Sequence, residues 1–138
     1  MTKLEDYRAP TKVRLAALWT STMFCYAYGD YFGLYGAGTL ADMNKGLMGP
    51  LGPATPGILI AVSMMMALPS LMIVLSLVLA PMLCRWLNVV LGVAYTGIMA
   101  ISIPGSQPFY TALGIIEMAL TITIALVAFR WPRVADHA

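Results

Sequence analysis

The sequence predicts an all-α integral membrane protein: four helices in an up-down-up-down bundle, with both termini in the cytoplasm. Three observations predict it. Of the 138 residues, 60% are hydrophobic and only 10% charged, with a mean hydropathy of +0.82. A water-soluble domain carries about one quarter charged residues, so lipid is the expected solvent for most of this surface. Four apolar stretches approach the ~20 residues that cross a bilayer. Finally, lysine and arginine crowd one side of those stretches. The length allows one membrane domain, residues 1–138.

The first span is read as 15–36. It is long, rich in tyrosine and carries Asp30, whereas the h-region of a signal peptide is short and plainly apolar, so a retained helix is expected. The outer loop, 37–56, places Leu40, Met43, Leu47 and Met48 at near-helical spacing. Its second half has Pro50, Pro53 and Pro56 at every third position, a pattern that favours stiff extended chain. This loop is expected to lie as a cap on the outer surface, with a lid over an outward pocket as the sharper alternative. The second span, 57–80, contains Pro69, which predicts a kink and leaves a carbonyl one turn earlier in need of another donor. Met64, Met65, Met66 and Met72 surround it and can fill an irregular gap. A tight turn over 81–85 leads to the third and shortest span, 86–103. A second tight turn over 104–108 leads to the fourth, 109–131. Such short links force antiparallel neighbours.

Orientation follows from the cations. Lys3, Arg8, Lys12, Arg14, Arg85, Arg130 and Arg133 fall on one side of the spans, and Lys45 alone on the other. That side is expected to be the cytoplasm. Trp19, Trp86 and Trp131 lie near the same ends of their spans and read as an interfacial belt.

The composition also excludes several classes. A net charge of +2 from dispersed residues gives no footprint for nucleic acid. Cys25 and Cys84 form no C-x-x-C pair and read as packing residues. The only histidine, His137, lies outside every span, so no haem ligand, other cofactor or metal site is expected. Small residues recur at four-residue steps at Cys25, Gly29, Gly33 and Ala37, and again at Gly92, Thr96 and Ala100. Such stripes let backbones approach closely, either within the bundle or in a homo-oligomer through the Gly29/Gly33 or Gly92/Thr96 face.

Two acids stand where the membrane makes charge expensive. Asp30 lies about 24 Å along the first span from Arg14, and Glu117 roughly 13 Å below Pro108, so both belong to the outer half. Tyr26 shares a face with Asp30. Tyr110, Glu117 and Thr121 share one on the fourth span, and Tyr95 has a compatible depth. No cation does. Glu117 is expected to be protonated and hydrogen-bonded to Tyr95, Tyr110 or a polar residue of the first span, either as interhelical glue or as a functional acid, whereas Asp30, close to the headgroups, is expected to reach water.

The run from Leu18 to Phe32, with Tyr28-Gly29-Asp30-Tyr31-Phe32 at its end, resembles a family of small bacterial membrane proteins catalogued as a domain of unknown function. Arg85-Trp86-Leu87-Asn88, Phe109-Tyr110, Glu117 and Arg130-Trp131-Pro132 extend the likeness over nearly the whole chain. It implies a four-helix protein of a bacterial inner membrane and no particular activity. The small multidrug transporters share the size and helix count. Their essential acid lies in the first helix, whereas the deepest acid here is in the fourth. Three functions stay open: a pocket that binds or transports a proton or small amphiphile, an accessory subunit of a larger complex, and an enzyme using an intramembrane acid on a lipid-soluble substrate. The first and last require a cavity that reaches Glu117.

Overall fold

A computed structural model describes residues 6–132 of the chain. Four long helices, α1 (Thr11–Gly33), α3 (Pro56–Val78), α4 (Pro81–Ser102) and α5 (Pro108–Phe129), pack together. A short helix α2 (Thr39–Asn44) and a 3-10 turn (Gly49–Leu51) lie between the first two of them. Proline begins α3, α4 and α5, where its missing N–H costs nothing and its fixed φ is already helical. Thr55, Ala80 and Gln107, the residues before those prolines, are extended as the ring requires. At 1.5 Å per residue each helix is about 33–35 Å long, enough for a hydrocarbon core of ~30 Å.

Helices α3, α4 and α5 are both long and apolar enough to cross a membrane. Helix α1 has the length, but Lys12, Arg14, Asp30 and its run of threonine, serine and tyrosine lower its hydropathy.

The seam positions that are buried recur at steps of three or four residues. They are Leu15, Trp19, Thr22, Tyr26 and Gly29 on α1; Pro69, Met72 and Ser76 on α3; Cys84, Asn88, Gly92, Tyr95 and Met99 on α4; and Gly114, Glu117, Thr121, Ile124 and Ala128 on α5. That spacing is the seam of helices crossing at a shallow angle. The interior holds Thr22, Ser76, Asn88, Glu117 and Thr121, while Ile60, Val78, Val93, Ile101 and Phe129 face outward. Polar inside and apolar outside is the arrangement that lipid selects. Helix α5 packs on α4 and α1, α1 packs also on α3, and α3 touches α4 least.

Among the glycines of the four long helices the closest approach is at Gly92, where a Cβ would lie 2.9 Å from the Thr121 carbonyl oxygen. The other small-residue stripe is not a close seam within the chain. A Cβ on Gly29 would meet Leu113 at an ordinary 3.8 Å, and one on Gly33 would meet nothing within 4 Å. At one end of the bundle, cations cap helix C-termini. Lys12 Nζ donates to the carbonyls of Leu77 (3.2 Å) and Leu79 (2.6 Å) at the end of α3. Arg85 Nη2 donates to the Phe129 carbonyl (3.0 Å), the last residue of α5.

Several expectations are corrected. The third span is no shorter than the fourth: Pro81 opens α4, so Arg85 and Trp86 lie inside a helix of 22 residues, the length of α5. Trp19 is no interfacial anchor, because it is completely buried, whereas Trp86 is half exposed. Helix α3 runs through Pro69 without interruption. The second half of the outer loop is not extended. Gly46 (φ +74°) ends α2, with the Leu47 N–H bonded to the Asp42 carbonyl (3.0 Å) and its own N–H to that of Met43 (2.9 Å). The chain then folds back so that Leu47 bridges Pro53, a reversal that Gly49 and Gly52 permit by adopting positive φ. Lys3, Arg133 and His137 lie outside the described residues.

Candidate functional site

A cavity of about 80 Å³ opens among α1, α3, α4 and α5. Tyr26 and Asp30, one turn apart on α1, reach it together, and α4 contributes Tyr95. Helix α5 contributes Tyr110 and, two turns on, Glu117. Five of the six residues singled out from the sequence therefore meet in one place. The two acids share it but differ in depth: Asp30 is exposed at the mouth, and Glu117 is 3% exposed.

Thr121, the sixth, is elsewhere. Its hydroxyl lies 3.0 Å from the Glu117 main-chain carbonyl and 2.7 Å from the Thr96 hydroxyl, which itself donates to the Gly92 carbonyl (2.7 Å). This hydroxyl pair joins α4 to α5 beside the Gly92 contact.

The hydrogen bonding of Glu117 also departs from expectation. Its Oε2 is buried without a partner, and no side-chain hydrogen bond of Glu117 occurs among the described residues. Tyr95, an expected partner, is engaged otherwise: its hydroxyl donates to the main-chain carbonyl of Met65. The reason lies in α3. Met65 is four residues before Pro69, whose missing N–H leaves that carbonyl without its helical donor. The tyrosine supplies the bond that the proline withholds. Its ring is held edge-on to Trp19 (6.0 Å between centroids) and beside Tyr26 (6.3 Å).

No cation offsets the acids. Among the described residues the single ion pair is Asp42–Lys45 (3.4 Å), on the outer loop. No group of three or more histidine, cysteine, aspartate or glutamate side chains converges among those residues as a metal cluster would.

A second polar cluster was missed by sequence reasoning. Trp19 Nε1 donates to Asn88 Oδ1 (2.7 Å), which fixes the amide orientation. Asn88 Nδ2 then donates to the Cys84 carbonyl (2.8 Å) and to Ser76 Oγ (3.3 Å). All four residues are fully buried. The available signal was Trp19 itself, which falls in register with Leu15, Thr22 and Tyr26 on one face of α1.

A family profile described as "family of unknown function (DUF6326)" matches residues 2–136. The chain belongs to this family. In this DUF6326 member the match takes in both acids and both polar clusters. No curated protein and no solved structure matches the chain.

Proposed function

We propose that this is a four-span, up-down-up-down protein of a bacterial inner membrane, whose Glu117 carries an exchangeable proton for a binding or transport-like role. The observation that carries this reading is the buried Glu117 carboxyl, with one oxygen unpartnered, at a cavity that also reaches Asp30. A carboxylate in a lipid-bounded interior costs about 3 kcal/mol on insertion scales, and here neither a cation nor a hydrogen bond offsets that cost. The neutral acid is the form such surroundings tolerate. The cavity has room for a few waters, and Asp30 at the mouth offers the next acceptor outward. Its volume is well below the ~300 Å³ at which pockets begin to take drug-sized molecules, which favours a proton over an amphiphile.

The topology belongs to the same proposal. Helix α1 packs on both α3 and α5 and so shares their depth, despite its lower hydropathy. The cation caps at Leu79 and Phe129 support antiparallel neighbours, and the lysine and arginine bias supports cytoplasmic termini. An Asn44→Cys variant should then be labelled only from outside and Asp6→Cys only from inside. The reverse pattern overturns the orientation. A homo-oligomer through Gly29 and Gly33 fits the open space at Gly33, whereas Gly92 and Thr96 already face α5.

Infrared spectroscopy tests the proton. The protein in lipid at neutral pH should display a protonated-carboxyl band that disappears in Glu117→Gln. Absence of that band in the parent protein sinks the reading.

A further inference from the structure

We propose that the cavity between Glu117 and Asp30 is a binding site for a monovalent alkali cation, sodium or potassium, which takes the place of the Glu117 proton. This rests on the reading of Glu117 as a protonated acid and adds the species that competes for it.

Three observations point to the ligand. The first is the unpartnered Oε2 of Glu117, on a side chain 97% buried at the cavity wall. Buried acceptors are ordinarily satisfied, so one left open at a cavity wall calls for a partner from within the cavity, a water or an ion. The second is the fixed position of Tyr95. Its hydroxyl is held by the carbonyl that Pro69 frees, so the nearest phenol of α4 does not close the carboxyl off. The third is the donor set. The polar groups lining the cavity include the carboxylates of Glu117 and Asp30 and the hydroxyls of Tyr26, Tyr110 and Ser102. These are hard oxygen ligands, suited to cations that prefer carboxylate and water, and no lysine, arginine or histidine lines the cavity to repel them.

Charge decides the valence. When the proton leaves Glu117 for water and one alkali cation enters, one positive charge replaces another and the net charge of the cavity is unchanged. Asp30 is exposed and its charge is balanced by solvent before and after the exchange, so the interior has only the charge of Glu117 to match; a divalent ion beside it would leave an extra buried charge, which low dielectric penalises. The volume of about 80 Å³ admits a cation that keeps some of its water. Asp30, exposed at the mouth, supplies the negative field that draws it in. The titratable groups facing Glu117 are Asp30, Cys25 and Tyr26 of α1, Tyr95 of α4 and Tyr110 of its own helix; α3 contributes none.

The experiment records the protonated-carboxyl band of the protein in lipid at fixed neutral pH, exchanging choline chloride for sodium or potassium chloride at constant ionic strength. The band is expected in choline, to be lost in sodium or potassium, and to return when choline is restored. In Asp30→Asn it should persist in choline and require more alkali cation to remove. A band that ignores both alkali cations overturns this inference and leaves the proton reading standing. Loss only with calcium or magnesium overturns the monovalent assignment. A sodium response unchanged in Asp30→Asn overturns the two-carboxylate site. No band in choline removes the proton reading and this inference together.

Discussion

The interior has two polar regions, one built from α1, α3 and α4 and the other drawing also on α5, and they are finished differently. Around Asn88, the indole N–H, the amide and the serine hydroxyl are each paired, and the cluster has no exposed member. Around Glu117, about two turns further along the bundle, a carboxyl oxygen lacks a partner and faces a cavity. A satisfied network rigidifies and specifies helix packing. An acid without a hydrogen-bond partner adds no such bracing. The contrast separates residues that hold the bundle together from residues available for function, with Gly92 and Thr96 bracing the region between them.

Removing a finished network should cost most. Asn88→Leu strips the bonds to Trp19, Ser76 and the Cys84 carbonyl, so at roughly 0.6 kcal/mol for each of these partners in a membrane interior it should lower stability by about 2 kcal/mol. Reversible unfolding in mixed micelles measures this, and a loss as small as that of the Glu117 variant would erase the distinction between the two regions. Gly92→Ala comes next. Its Cβ would press on the Thr121 backbone, and overpacking of this kind starts at about 1 kcal/mol. A neutral result in the same assay would mean that α4 and α5 separate easily. The smallest effect is expected for Glu117→Gln. The carboxyl gives up no side-chain hydrogen bond and the amide has nearly the same shape, so stability should stay closer to the parent than in either other variant. A large loss would move Glu117 into the class of Asn88.

Much of the cavity was legible in the sequence because charge and phenol are conspicuous against an apolar background. Asp30, Tyr26, Tyr95, Tyr110 and Glu117 could be brought to one depth by counting rise per residue, and they meet. Counting fixes depth but not rotation between helices or the direction of a hydroxyl. Thr121 therefore read as a neighbour of the cavity when its hydroxyl belongs to the Thr96 contact. The Asn88 cluster escaped because asparagine and serine carry no charge to betray them, and because a tryptophan near a helix end reads as an anchor. The need of the carbonyl before Pro69 for a foreign donor was plain from covalent structure. Which residue supplies it depends on helix packing, and so only the fold reveals it.

That bond has a consequence for how such chains can diverge. The proline at 69 creates a vacancy on one helix, and the phenol at 95 on another is the group that answers it. Losing the proline would return a helical N–H to the Met65 carbonyl and deprive the phenol of its purpose. Losing the phenol alone would strand the carbonyl. Across the family the two positions should therefore change together, a proline at 69 accompanying a hydroxyl-bearing residue at 95. An alignment in which the two vary independently would mean that the carbonyl finds other donors with ease.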